Sequence, residues 1–353
     1  MLKKSNMSLA ILVGEQNSRS PYIRSVLQSA REQGVQAYIA TAEDIIHQTI
    51  SPSVIYNRVP TRKEEASFAV VRAKALFKRQ SIPYFNSRFF SKREVDDALR
   101  NTVQADLLPN TMLGSEDNES VHTMLSRYGT LFLKPVTGSF GEGICRITEK
   151  NDQIQVDYRQ GTQTVSRLFS TLEEAMNVSR QQMGHVPFLI QEEVPLALYA
   201  GCKTDFRVHL CRRNESEWEP VAIAAKVGQR DAVTTHVHSG GQIESASVVL
   251  DAWYGRKAKT ILEQLADRAV AVSQTLCSTL PVQLGELGLD MGIDQNGRIF
   301  LFEANAKPGR IIFTHPSLKR AGLLSRQYVL AYAKYLAQKS NVGGAWMVQN
   351  THD

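Results

Sequence analysis

The chain has 353 residues, 42% of them hydrophobic and 22% charged, so it can bury more than one core and is neither a disordered nor a fibrous protein. Its formal charge of +6 suits an anionic partner, but the basic residues are scattered without a tract or aromatic interleaving, so phosphate-bearing small molecules are expected and nucleic acid is not. The four cysteines, at 145, 202, 211 and 277, show no C-x-x-C or metal-finger spacing and read as free thiols in a cytoplasmic setting; no segment reaches membrane-spanning length, so no membrane partner is expected.

The first part of the chain alternates as an α/β unit. The apolar run at 9–13, too short for a signal peptide, predicts a buried strand. A helix over 21–33 stopped by Gly34, a strand in VQAYIA and a third strand over 53–59 follow, which together predict a parallel sheet. The stretch 64–79 has helical spacing, with Phe68, Val71, Ala75 and Phe77 offered as its buried side, then SIPYFNS reads as a strand and KREVDDALR as a helix. A boundary is placed near residue 90. Beyond it the order changes to α+β: a helix over 120–127, then the strand TLFLKPV running through the glycine-rich TGSFGEGI into another strand, which is the pattern of a hairpin flap. A helix over 171–184, the strand FLIQEEV and a strand-rich remainder around one helix at 257–277 complete it, and 341–353 reads as a loosely attached tail.

The least expected residues are in GLDMGIDQNGRIFLFEANAKPGR (288–310), where Asp290 and Glu303 interrupt buried strand. An ionised carboxylate buried without a partner costs several kcal/mol or neutralises. DQNG predicts a turn pairing Ile293 with Arg298, which sets Asp290 opposite Leu301 and diagonal to Glu303, with Asn305 on the same face. Two readings stand: a hard cation such as Mg²⁺ or Mn²⁺ held by Asp290, Glu303 and Asn305, or ion pairs with Lys307, Arg310 or Arg298. In FLKPVTGSFGEGI, Lys134 lies in an apolar strand, and Gly138, Ser139, Gly141 and Gly143 permit backbone N–H groups to approach a polyphosphate, though such a loop is more often a plain tight turn. KTDFRVHLCRR alternates with period two: Lys203, Asp205, Arg207 and His209 face one way and Phe206, Val208 and Leu210 face the core, with His209 read as part of a solvated face. Lys226 interrupts an apolar strand and needs an anionic neighbour; His236 and His238 have no third ligand nearby, which argues against zinc.

In order along the chain, the strand lysine with its glycine flap (134–143), the strand ending in QEEV, the K-x-D-x-R strand, Lys226 and the final D…E-x-N resemble an ATP-grasp ligase over roughly residues 85–315. The segments VIYNRVPTR and YFNSRFFSKREVDDALRNTVQADLLPNT resemble the YheC/YheD group of endospore-forming bacteria, and K-x-D-x-R is also similar to that of the tubulin tyrosine ligase-like enzymes. The resemblance implies an N-terminal parallel-sheet pre-ATP-grasp domain (1–90) and an ATP-grasp domain (91–340) of two α+β lobes, flap-bearing at 120–192 and metal-binding at 193–340. It implies that Lys92 and Lys134 touch ATP phosphates beneath a flap that includes Phe140, that Gln191, Glu192, Glu193 and Val194 line the adenine, and that Lys203 and Asp205 face the nucleotide. Asp290, Glu303 and Asn305 are then the Mg²⁺ ligands. Some ligases of this superfamily carry Arg two residues before the first metal acid; here that position is Gly288, so the cationic role falls to Arg207 or Arg230, beside Lys226. The activity implied is ADP-forming carboxylate–amine ligation through an acyl phosphate. The surplus of basic residues in these motifs predicts an acidic small-molecule or protein acceptor, with the amine unassigned. Spore coat proteins enter as partners and the spore coat as a location through the resemblance alone, and an oligomer is left open. A phosphotransferase, or a coat protein whose fold is not catalytic, stays open beside the ligase.

Overall fold

The computed structural model describes residues 7–14, 20–138, 141–161, 163–230, 232–233, 235 and 240–349. Ser139 and Phe140 of the glycine-rich turn, and His236 and His238, fall outside the described residues. Three sheets organise the described residues. The first takes β1 (Ser8–Leu12), α1 (Pro21–Glu32), β2 (Gln36–Ala40), α2 (Ala42–Ile46), β3 (Val54–Asn57), α3 (Arg62–Glu65), α4 (Phe68–Arg79) and β4 (Tyr84–Phe85). Its strands are parallel in the order β2-β1-β3-β4. Both faces are covered, as a parallel sheet requires: Leu9, Ile11 and Tyr56 pack toward α1, while Ala10, Leu12 and Ile55 pack toward α2 and α4.

The stretch expected as one helix from residue 64 is two, parted by Ala66 and Ser67, where Ser67 caps α4 through Val70 N. The buried stripe is Val70, Ala73 and Phe77, while Phe68 and Val71 are exposed. Both stripes have helical spacing, and only the position of the helix against the sheet selects one of them.

The second sheet follows α5 (Lys92–Arg100) and takes β5 (Thr111–Leu113), α6 (Glu119–Tyr128), β6 (Thr130–Pro135), β7 (Cys145–Lys150), β8 (Gln153–Gln160), β9 (Gln163–Phe169), α7 (Leu172–Met183) and β10 (Phe188–Glu192). It is antiparallel, ordered β5-β10-β6-β7-β8-β9. Leu131, Leu133 and Ile147 bury one face against Val121 of α6 and Met176 of α7. Leu133 opposite Cys145 closes the β6–β7 hairpin that carries the glycine-rich turn.

The third sheet comprises β11 (Leu198–Tyr199), β12 (Cys202–Arg212), β13 (Trp218–Val227), β14 (Gln242–Ser245), β15 (Glu286–Ile293) and β16 (Ile299–Asn305), with α8 (Ala246–Tyr254) and α9 (Ala258–Thr279) between β14 and β15. Its main path is β14-β13-β12-β15-β16 and β11 adds to β12. Period-two alternation splits its faces. Phe206, Val208, Leu287, Leu289 and Met291 pack on α5, α8 and α9, which turns Asp205, Arg207, Glu286 and Asp290 to the opposite face. A last helix, α10 (Lys319–Gln349), includes most of the segment expected as a tail, and its Val329, Leu330, Tyr332 and Ala333 return to pack on the first sheet. No helix among the described residues is long and apolar enough to cross a membrane, and none of the four cysteines is in a disulfide.

Candidate active site

The charged side chains of the third sheet meet because of strand register. Asp205 lies opposite Lys226 on β13, Arg207 opposite Asp290 on β15, and Asp290 opposite Glu303 on β16. This corrects the diagonal placement of Asp290 and Glu303. The turn pairs Ile293 with Ile299, one residue later than DQNG predicts, because Asp294 Oδ1 accepts from the N–H groups of Asn296 and Arg298 and holds a longer loop. A bulge then leaves Phe302 without a cross-strand partner and moves Glu303 one further step, directly opposite Asp290. The two shifts together preserve the shared face.

Asp290 is buried and paired: Arg207 donates to both its oxygens at 2.8 and 2.9 Å, and Lys226 lies at 2.8 Å. Its basic partners are therefore not Lys307, Arg310 or Arg298; those bind Glu65, Glu286 and the Asp106 carbonyl. Lys226 also bridges to Asp205 at 3.1 Å, and Thr235 donates to Asp205 at 2.6 Å. Burial alone would lower the Lys226 pKa, but Asp205 and Asp290 outweigh it and hold the lysine above its usual value. For Asp205 the balance is reversed: burial raises its carboxyl pKa and Lys226 restores only part. Glu303 is engaged more loosely, by Lys92 at 3.8 Å, and Asn305 approaches Asp290 at 3.4 Å. Three oxygen-bearing side chains on facing strands, one of them weakly paired, suit a hard cation.

The other wall of this cavity comes from the second sheet. Lys92 donates to the Gly138 carbonyl at 3.2 Å, at the base of the glycine-rich turn, where Gly141 and Gly143 have positive φ of 72° and 70°. Lys134 donates to Gln191 and sits 5.5 Å from the Phe132 ring centroid and 5.8 Å from that of Phe302. Burial, with Lys92 nearby, lowers its pKa to about 8. Glu193 is clamped by Arg146 and by Lys203 at 2.5 Å, and the backbone and side chain of Asn110 donate to Glu192. Lys92, Lys134, residues 191–194, Lys203, Asp205, Lys226, Asp290 and Glu303 line one cavity, joined by Phe132, Ile144 and Phe302.

Arg230 does not join them. After Gly228 the chain leaves β13, and the exposed Arg230 side chain lies beside Gly201, outside the cavity that the other candidates line. Gly288 is informative instead. A Cβ there would stand 3.1 Å from Arg207 Nη1 and 2.7 Å from Pro308 Cβ, so the Arg207 side chain passes over the glycine. From the neighbouring strand the Arg207 guanidinium thus reaches Asp290. Gly288→Ala is expected to displace Arg207 and to destabilise by about 1–3 kcal/mol; a lower urea midpoint with an unchanged slope checks this.

His209 is fully buried, not solvated. Its Nε2 accepts from Arg310 at 2.9 Å and its ring meets Phe313 edge-on. Burial, reinforced by Arg310, lowers its pKa to about 4. The unfolded chain therefore takes up a proton near pH 6.5 that the folded chain refuses, so stability falls as pH drops from about 6.5 toward 4. His209→Gln removes that component, which unfolding midpoints at pH 7 and pH 5 would reveal as a smaller difference than in the parent.

The fold agrees with comparison to known proteins. A family model described as YheC/D like ATP-grasp matches residues 81–336. The chain belongs to that family. The endospore coat-associated protein YheD of Bacillus subtilis (strain 168) is 33% identical over 293 residues, 82% of this chain and 64% of YheD. The chain thus spans less than two thirds of the length of the curated relatives it matches. Among solved structures, the D-cycloserine synthetase DcsG superposes with a TM-score of 0.56 at 14% identity, covering 94% of this chain and 99% of DcsG. The VanG D-Ala:D-Ser ligase of Enterococcus faecalis gives 0.57 at 14%, covering 94% and 100%. At these identities the likeness establishes the ATP-grasp fold. Within the YheC/D like ATP-grasp frame, sequence reasoning missed Phe302, whose exposure to the cavity depends on the bulge, and left Arg58 and Arg62 without a role although both stand in the VIYNRVPTR segment.

Proposed function

We propose that the chain is a Mg-ATP-dependent carboxylate–amine ligase. The observation that carries this reading is the register that sets Asp290 beside Arg207 and opposite Glu303, with Asp290 and Glu303 lining the same cavity as Lys92 and Lys134. An acceptor carboxylate attacks the γ-phosphorus of ATP and ADP leaves; an amine then attacks the acyl phosphate, forming the amide and releasing phosphate and a proton. Catalysis of this kind is mostly positioning and charge neutralisation. Lys92, Lys134 and Lys203 bind phosphates, the turn at 138–143 closes over them, residues 191–194 frame the adenine, and Asp205 faces the nucleotide. Asp290, Glu303 and Asn305 would hold Mg²⁺, or Mn²⁺ in its place, which when bound would supply charge neutralisation for the transferring phosphoryl group. Arg207 and Lys226 stabilise the carboxylate as it is phosphorylated.

The acceptor in this reading is acidic, a free amino acid or a protein carboxylate. The name of the YheD relative supports a further part of this reading, a cytoplasmic enzyme that meets spore coat proteins. Flap closure gives a direct test. Three glycines at 138, 141 and 143 make the turn deformable, and amide exchange across residues 137–144 is expected to slow several-fold on binding Mg-ADP. Unchanged exchange in protein shown separately to be saturated would oppose closure.

A further inference from the structure

A second cavity, of about 550 Å³, opens from the first and shares Lys226 and Glu303 with it. Its far wall comes from the first sheet: Tyr22 at the start of α1, and Arg58 and Arg62 just beyond β3. Among the described residues six cationic side chains line it, Arg58, Arg62, Arg207, Lys226, Lys307 and Arg310, against one acid, Glu303.

Most of these cations are committed elsewhere. Arg207 and Lys226 hold Asp290, and Lys307 is 2.7 Å from Glu65. Arg58, at 2.8 Å, and Arg310 share the single carboxylate of Glu286. The groups packed around that trio do not balance it: His209 is held neutral, and burial pushes the Tyr22 hydroxyl up to about 12 and raises that of Tyr56 as well. The trio therefore carries one net positive charge. Arg62 makes no ion pair among the described residues. It donates to the Phe90 carbonyl at 2.8 Å and lies 5.1 Å from the Phe89 ring centroid, and its Nε is buried without a partner. Burial lowers its pKa despite the nearby charges of Glu303, Glu65 and Glu94. A guanidinium that lines the cleft without an ion pair, beside a site of net positive charge, suits an anion.

We propose that this cleft is the acceptor subsite and that Arg58 and Arg62 hold the non-reacting carboxylate of a dicarboxylic amino acid, while its other carboxylate is presented beside Arg207. This rests on the ligase reading. The volume suits an amino acid or the end of a peptide, and a monocarboxylate would leave Arg62 unpaired once its only carboxylate is at the reacting position. Free glutamate or aspartate and a peptide ending in such a residue present the same chemistry, so both are tested.

Binding is measured by calorimetry in the presence of Mg²⁺ and a non-hydrolysable ATP analogue, with glutamate, aspartate, a glutamate-terminated peptide, glutamine and norvaline as titrants. The proposal expects one of the dicarboxylates, free or terminal, to bind at least about 10-fold more tightly than glutamine or norvaline, and Arg62→Ala to weaken it by about 10- to 100-fold. Arg62→Lys is expected to recover part of the loss, and the affinity for the nucleotide analogue to stay within about 2-fold in both variants. Equal binding of glutamine and glutamate, no binding of any dicarboxylate, or parallel loss of nucleotide and acceptor in a variant that melts like the parent would overturn it. Hydroxylamine, supplied as the amine with ATP, reports separately on the ligase reading: selective dicarboxylate binding without hydroxamate formation upholds the subsite and rejects the chemistry.

Discussion

Glu303→Gln is expected to lower ADP release by at least about 100-fold while the protein unfolds at the parental denaturant concentration. Both halves of that expectation come from how Glu303 is held. Its partner is Lys92 at 3.8 Å, and its side chain is 20% exposed, so the isosteric amide opens no cavity and gives up only a loose ion pair. Removing the charge nevertheless takes the least encumbered oxygen donor from a set in which Asp290 is already bound by Arg207 and Lys226. Asp290→Asn is the less clean experiment. It leaves Arg207 and Lys226 around an amide, and lost activity would be mixed with lost stability. Steady-state ADP production together with urea unfolding separates the two effects; a variant with parental turnover removes Glu303 from the site.

The largest effect on stability is expected at Glu286, which is fully buried under the junction of the first and third sheets. Tyr56 donates to it at 2.5 Å, Arg58 at 2.8 Å, and Arg310 completes the pair. Burial would raise its pKa, but Arg310 and Arg58 hold it well below the ordinary carboxylate range. Glu286→Gln leaves two guanidiniums without a counter-charge, at a cost of about 3–5 kcal/mol. The pH dependence has a definite sign. A carboxyl whose folded pKa lies below its unfolded value, near 4.3, stabilises fully above that value and loses the contribution as pH falls below it. The parent should therefore lose stability steeply below about pH 5, and the variant, already weaker at pH 7, should lose less over the same interval. Equal acid sensitivity in both would move the origin of the effect away from Glu286.

How far the sequence reveals the site depends on which physical rule governs each residue. Alternation in KTDFRVHLCRR and GLDMGI correctly separates the face of Asp205, Arg207 and Asp290 from the core face, because period two holds wherever a strand is half covered. The need of Lys226 for an anion is legible for the same reason, and Asp205 and Asp290 supply it. Register was less accessible. The Asx-type hydrogen bonds of Asp294 and the bulge at Phe302 each move the pairing by one residue, and neither leaves a mark in composition. Arg230 stands close in sequence to Lys226, yet a loop carries it away. Arg58 and Arg62 lie more than 200 positions before Asp290 and reach the same region through the docking of two sheets. His209 was misread because the polar face of β12 is covered at one end by Arg310 and Phe313, which no strand-level pattern reveals. The two stripes of α4 show the same limit, since helical spacing fits both.

The central claim, transfer of the γ-phosphoryl group to an acceptor carboxylate followed by its displacement by an amine, is tested most directly with an acceptor labelled with ¹⁸O in its carboxylate groups. Incubated with Mg-ATP and hydroxylamine, the protein is predicted to release inorganic phosphate that carries one acceptor oxygen, in amounts equal to the ADP and hydroxamate formed. Unlabelled phosphate, or a phosphoryl group that remains on the product after hydroxylamine treatment, would contradict the account.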